Sequence, residues 1–376
     1  MNFGIMFFSS GSQDSQSQKY RLVIEAAQFA DEHGFCCVWT PERHFHEFGG
    51  LFPNPSVTSA ALAVLTKNLQ VRAGSLISPL HHPVRIAEEW SVVDNLSAGR
   101  VAISFGSGWN VNDFIFFPER YVTRHTTMYE QIETIRHLWR GGRVTQVNSF
   151  GEAFEVSLYP QPVQKDLPIW ITSSGNAETF ASAGAIGANI LTHLIGQDMI
   201  ILAGKIERYR ESLESHGFDP QQGKVSLMLH TFLGDDPVAV KAKVRGPFRE
   251  YLRSAISLEE QAAMSGGVVS GGHKIEPHEI PDEVMEELLD ITFERYFQSA
   301  ALMGTPSGCK ELIWQLKKIK VDEIACLIDF LDNHDAVLQS LKYVDQLRAS
   351  FSAETLHRDA GQAVSAFLEN LEDEAG

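Results

Sequence analysis

From Phe35 to Ser56 the chain reads FCCVWTPERHFHEFGGLFPNPS. Phe35 to Trp39 form a short apolar run, the pattern of a buried strand. The run stops at Thr40-Pro41, because proline brings no N–H to a ladder. A dense polar cluster follows: Glu42, Arg43, His44, His46 and Glu47. Gly49, Gly50, Pro53 and Pro55 then restrict the backbone to a fixed loop. Titratable groups just past a buried strand end are the arrangement in which an α/β enzyme keeps its chemistry. A solvated charged loop is the alternative for this stretch taken alone.

The same unit recurs along the chain. Strand-like runs are expected at Asn2–Phe8, Phe35–Thr40, Leu69–Ile77, Val101–Gly106, Pro168–Thr172, Asn189–Leu194, Val225–Leu233 and Glu323–Asp329. Helical spacing falls between them, at Gln18–His33, Ser56–Thr66, Pro83–Leu96, Tyr121–Trp139, Asn176–Ala185, Gln197–His216 and Asp335–Ser350. Val144–Pro162 reads as a short hairpin. Eight strands with intervening helices close naturally into a (β/α)8 TIM barrel, an α/β fold. A doubly wound sheet is disfavoured, because SSGSQDS after the first strand lacks the G-x-G-x-x-G turn.

The expected barrel covers residues 1–350. Between strands seven and eight, residues 235–308 are too long for one helix and read as a helical insertion. Its Gly-rich stretch Ser265–His273 suits a lid over the mouth or a plain linker. Residues 351–376 read as an acidic C-terminal tail.

With 376 residues and 44% hydrophobic content, the chain can bury a large core. Its 31 Lys+Arg against 48 Asp+Glu give a net charge of −17. Such a surface repels nucleic-acid backbones and anionic lipid, so neither is an expected partner. No apolar run reaches the roughly 18 residues of a membrane span. The N-terminus MNFGIMFFSS reads as a first strand rather than a leader. Cys36, Cys37, Cys309 and Cys326 form no C-x-x-C pair and read as reduced thiols, consistent with a cytoplasmic protein.

In a barrel the strand ends share one face. Besides Arg43 and His44, that face receives Gly74-Ser75, then Gly106-Ser107-Gly108-Trp109-Asn110, and then Thr172-Ser173-Ser174-Gly175-Asn176 opening a helix. Hydroxyls and free N–H groups at a helix N-terminus suit a phosphate. Ser174 or Asn176 acting as a simple cap suits the same residues equally. Gly106 and Gly108 allow close approach of a flat ligand. His44 and His46 are a weak metal motif with unplaced partners, and no metal is expected.

Several segments resemble the bacterial luciferase-like, flavin-dependent monooxygenases: PERHFHEFGG with PNPS, RAGSLISPLHHPVRIAEEWSVVDNLSAGR, ISFGSGWNVNDF, WITSSGNAETFASAG and LTHLIGQ. The resemblance runs from residue 2 to about residue 350 and is similar to the subgroup of natural-product pathways. It implies an enzyme that takes reduced FMN from a separate flavin reductase, activates oxygen and inserts one oxygen atom into a secondary-metabolite intermediate, small or carrier-protein-bound. By position, Ser173, Ser174 and Gly175 would hold the FMN phosphate. Gly74-Ser75 matches the place of a non-prolyl cis peptide behind the flavin ring. Gly106, Ser107 and Gly108 match a flavin-contacting turn, beside Asn110, Thr172 and Asn176.

The chain also departs from the family pattern. Arg43 stands where luciferases carry their first histidine, and Ser107 where they carry a basic phosphate contact. Arg43 or His44 is then expected to carry the catalytic charge or proton role, with His44 as a loop brace the alternative. A deazaflavin-dependent oxidoreductase and a non-catalytic flavin-binding protein remain alternatives on the same barrel. Family members often dimerise, so a homodimer is a further expectation.

Overall fold

In the computed structural model, residues 1–8, 18–195, 197–264 and 282–352 are described. The first strand, β1 (Asn2–Met6), is followed by α1 (Arg21–Glu32), β2 (Cys37–Thr40), α2 (Pro55–Leu65), β3 (Gln70–Ile77), α3 (Pro83–Leu96) and β4 (Val101–Gly106). Next come α4 (Arg124–Trp139), a hairpin of β5 (Val144–Val147) and β6 (Ala153–Val156), then β7 (Ile169–Thr172), α5 (Ala177–Ala185), β8 (Asn189–His193), α6 (Met199–Ser215) and β9 (Val225–Leu233). The chain continues through α7 (Pro237–Met264), α8 (Asp282–Ser299), β10 (Leu302–Gly304), α9 (Pro306–Lys318), β11 (Glu323–Leu327) and α10 (His334–Ala349).

Eight of these strands form a closed parallel ring, in the order β9-β11-β1-β2-β3-β4-β7-β8 and back to β9. Closure runs through Ile190↔Val225 to His193↔Met228, and β1 joins β11 from Asn2↔Glu323 to Met6↔Leu327. Strands covered on both faces need continuous apolar runs. All nine residues of β9, VSLMLHTFL, are buried.

The opening stretch folds for local reasons. Asn54 caps α2, its side chain accepting from the N–H groups of Ser56 at 2.8 Å and Val57 at 3.3 Å. Pro55 occupies the first turn, where its missing N–H costs nothing. PNPS is thus a helix start, and it fixes the far end of the polar loop.

The barrel interior is stitched by a buried charge pair. Arg72 on β3 donates to Glu323 on β11 at 2.7 and 3.3 Å. Its guanidinium lies 4.8 Å from the Trp39 ring centroid and 4.3 Å from that of Trp170. Gln70 and Ser226 complete the hydrogen bonding. Burial opposes ionisation of Glu323, but the adjacent Arg72 charge prevails and holds its carboxyl down at about 2. Two ions in a dry core are tolerable only with this degree of pairing.

The expected eight-stranded barrel is therefore present. Some boundaries differ. The long fourth helix starts at Arg124 rather than Tyr121, because two short helices, Val111–Phe116 and Pro118–Arg120, precede it. Within the stretch read as purely helical, β10 pairs with the end of β9, from Leu302↔Thr231 to Gly304↔Leu233. Three residues are too few to show a strand period. From Pro306 onward the chain belongs to α9, which leads back to β11. The Gly-rich Ser265–His273 and residues 353–376 lie outside the described residues. Phe351 is buried and packs against Trp314, ring centroids 5.2 Å apart. No helix of the described residues is long and apolar enough to cross a membrane.

Candidate functional site

Parallel closure brings the carboxyl ends of all eight strands to one mouth. Glu42, two residues past β2, is almost fully buried there. One of its oxygens, Oε1, receives His44 Nε2 at 3.0 Å and His81 Nε2 at 2.5 Å. The other, Oε2, accepts from the Ile77 backbone N–H at 2.7 Å. Burial disfavours the carboxylate, yet these hydrogen bonds outweigh it and hold Glu42 below the usual carboxyl range. His81 shows the complementary effect. Burial would lower its pKa, but Glu42 raises it above the usual histidine value. With Glu42 ionised, both imidazoles carry a proton on Nε2, leaving Nδ1 of each ring for other partners.

Asp113 sits in the short helix after β4. Its Oδ1 accepts from Asn110 Nδ2 at 3.2 Å. Burial pushes its carboxyl up to about 6, against the pull of His44 and Arg43. Glu42 and Asp113 therefore differ in character: Glu42 is kept ionised, and Asp113 is half-protonated near pH 6. Environments that separate paired titratable groups in this way are the mark of acid–base sites.

Arg43 packs against aromatic rings while its charge still acts on Asp113. Its guanidinium lies 4.0 Å from the Phe8 ring centroid and 5.2 Å from that of Phe48. Phe45 adopts a left-handed φ of 55°, unusual for a large side chain. It leaves an exposed ring beside His44 and Phe116, with Ile115 also exposed. This apolar rim borders the polar relay.

Across the mouth, three hydroxyls from three strands meet. Thr172 Oγ1 lies 2.5 Å from Ser75 Oγ and 2.7 Å from Ser104 Oγ. The Gly74–Ser75 peptide is cis. A Cβ on Gly106 would come within 2.9 Å of Ile77 and 3.5 Å of Ser75 Cβ. Gly108 has φ 78°, and a Cβ there would crowd Ile77 and Phe114. Ser75, Gly106, Gly108 and Thr172 are thus neighbours, joined through Ile77 to Glu42, while Gly74 backs onto the Trp39 ring.

Ser173, Ser174, Gly175 and Asn176 form the turn into α5. Asn176 is the helix cap, accepting from the Glu178 N–H at 2.9 Å. Ser173 is buried, and its hydroxyl accepts from the Gly175 N–H at 3.3 Å. Asn110 caps its own turn, accepting from the Asn112 N–H at 3.1 Å. Asn110 and Asn176 are therefore engaged within their own loops. Ser107 and Ser174 are half-buried at the same face.

The donor set fits a phosphorylated flat ligand. Hydroxyls line the strand ends, and a serine turn opens α5 with Lys205 Nζ 3.3 Å from where a Gly175 Cβ would stand.

Sequence reading named Glu42 only as part of a polar cluster and gave His81 and Asp113 no role. Both were signalled. His81 opens HHP at the end of β3, the same mouth, and Asp113 lies in the segment that follows β4.

The model of the luciferase-like monooxygenase family matches residues 1–323. Over 338 residues the chain is 29% identical to the alkanal monooxygenase alpha chain of Photorhabdus luminescens, covering 88% of this chain and 91% of that protein. Over 264 residues it is 28% identical to the oxygenase component of the flavin-dependent trigonelline monooxygenase of Acinetobacter baylyi, covering 67% and 71%. The oxygenating constituent of Pseudomonas putida 3,6-diketocamphane monooxygenase, solved with FMN, shares the fold at TM-score 0.72 and 19% identity, covering 93% and 98%. A closed parallel barrel with a polar relay at its mouth and a family match over residues 1–323 give one conclusion: the chain belongs to the luciferase-like monooxygenase family.

Proposed function

We propose that this protein is the oxygenase of a two-component, FMN-dependent system. It takes reduced FMN from a separate reductase and inserts one oxygen atom into an organic intermediate of secondary metabolism, small or carrier-bound. Family membership and the monooxygenase relatives support the reaction class. The FMN complex of a protein with the same fold supports the cofactor. The natural-product assignment and the carrier rest on sequence resemblance.

Reduced FMN, when bound, supplies the two electrons that activate molecular oxygen. The chain supplies the rest. Ser173, Ser174 and Gly175 would hold the phosphate, and Gly74, Ser75, Gly106 and Gly108 would border the ring. Glu42 fixes the imidazoles of His44 and His81 by accepting from both. His44 stabilises developing negative charge at the mouth. His81, raised above the usual histidine value, and Asp113, half-protonated near pH 6, can each deliver a proton there. The apolar rim of Phe45, Ile115 and Phe116 receives the organic substrate and limits water.

The observation that carries an active enzyme over a passive flavin carrier is the single oxygen of Glu42 shared by two histidines. Storage of a flavin needs no such relay. The test supplies chemically reduced FMN, without reductase, and heavy-isotope oxygen gas with candidate substrates. One heavy oxygen atom in the product is the expected result. Hydride transfer to a deazaflavin with no oxygen incorporated would replace this reading.

A further inference from the structure

The luciferase-like pattern carries a basic residue after the fourth strand, and this chain has Ser107 there. A phosphate dianion at the α5 turn would still need a counter-charge. Hydroxyls and N–H groups alone bind such an anion less strongly than a cation does. The structure supplies a cation from a different element.

Lys205 projects from α6 across to the turn that opens α5. A Cβ built on Gly175 would stand 3.3 Å from Lys205 Nζ and 3.8 Å from Gln197 Oε1. Gly175 has φ 121°, a backbone conformation that side chains rarely adopt, so the turn stays open toward the ammonium. Gln197 Oε1 accepts from Nζ at 2.7 Å. That amide is itself fixed, because its Nε2 donates to the His193 carbonyl at 2.5 Å. Lys205 is thus pre-positioned by a neutral group.

The charges around it are arranged to leave it available. The nearest acid of α5, Glu178, is taken by Arg208 one turn further along α6. Among the described residues no carboxylate pairs with Lys205, although acids outnumber bases by 48 to 31 in the chain. Partial burial lowers the Lys205 pKa with no acidic neighbour to oppose it. An ammonium held over an open serine–glycine turn by a neutral amide is in the condition that an incoming anion relieves.

We propose that Lys205, held by Gln197, is the counter-cation of the flavin 5′-phosphate and takes over the role that Ser107 lacks. The assignment rests on the flavin reading above and makes Lys205 a selectivity residue, separating phosphorylated from unphosphorylated flavin. It predicts a charge contact reaching Ser173–Gly175 from α6 rather than from the β4 turn.

The test is anaerobic titration of the whole protein with reduced FMN and, separately, reduced riboflavin. Lys205→Met should weaken FMN binding about 10- to 100-fold and leave riboflavin binding near the wild-type value. Lys205→Arg should restore most of the FMN affinity. Riboflavin binding by the Met variant doubles as proof that it is folded. Equal loss for both flavins, or no loss for FMN, would overturn the assignment. So would a wild-type protein that binds both flavins equally, since no phosphate would then be sensed. A wild-type protein that binds neither would fail at the flavin reading itself, and the Lys205 role would fall with it.

Discussion

Glu42 Oε1 and His81 Nε2 lie 2.5 Å apart, although 39 residues separate them in the chain. The contact ties the loop after β2 to the loop after β3. His81 is anchored from behind, its carbonyl accepting from Arg120 at 2.7 Å and from Gln131 at 3.0 Å. The carboxylate is thus gripped by a rigid partner on one side and by His44 on the other.

Glu42→Gln removes the charge that both imidazoles share. Product formation should fall about a hundredfold or more, the usual weight of a general acid–base relay. Reduced-FMN affinity should stay near wild type, because the phosphate turn lies on other strands. Parallel measurement of turnover and binding checks this, and an unchanged turnover would remove the relay from the mechanism.

Asp113 links the site to stability. Its carboxyl rises from 3.8 to about 6 on folding, so the native state binds the extra proton between those values. Stability therefore falls as pH rises through that window, and the full penalty is carried above it. Asp113→Asn should stabilise the protein by up to about 3 kcal/mol near pH 8, with the gain vanishing near pH 4. Urea unfolding at the two pH values reads this directly. A gain of equal size at both would show that the carboxyl does not titrate as described.

Arg72→Met removes the buried cation of Glu323 and leaves only the part-exposed Lys224 Nζ, 3.5 Å from Oε1. The expected loss is about 3–5 kcal/mol, seen as an earlier urea midpoint. Glu323 has its pKa lowered from 4.5 to about 2, so its contribution is complete above 4.5 and is lost as pH falls toward 2. The wild-type protein should lose stability through that acid range, and the Arg72→Met variant should lose less.

Thr172→Val deletes the hydroxyl shared by Ser75 and Ser104. Ser104 is fully buried. Leaving it without that partner should cost about 1–3 kcal/mol. The thermal midpoint should drop, with a further loss of reduced-FMN affinity because Ser75 is no longer held. Loss of stability without loss of affinity would place this cluster behind the flavin surface rather than on it.

Much of the fold was legible because β2, β4 and β9 are short apolar runs bounded by Pro, Gly and polar clusters. Burial on both faces leaves few other structures for such runs. The strand β10 was not legible, since three residues show no period. The turn residues of the site were legible as glycine and serine clusters at strand ends. The relay was less so. His44 and Glu42 are neighbours in sequence, but His81 joins them only through closure of the barrel, and Asp113 only through a short helix after β4. Lys205 sits mid-helix among ordinary surface residues. Only the packing of α6 on α5 brings its ammonium over Gly175.

The most direct measurement mixes the protein, loaded anaerobically with photoreduced FMN, with oxygen in a stopped-flow spectrometer. The absorbance of oxidised flavin is followed in time. The account predicts a clear lag relative to free reduced FMN, lengthened by substrate and shortened in Glu42→Gln. Oxidation of bound and free FMN at the same rate, with and without candidate substrates, would contradict the oxygenase assignment.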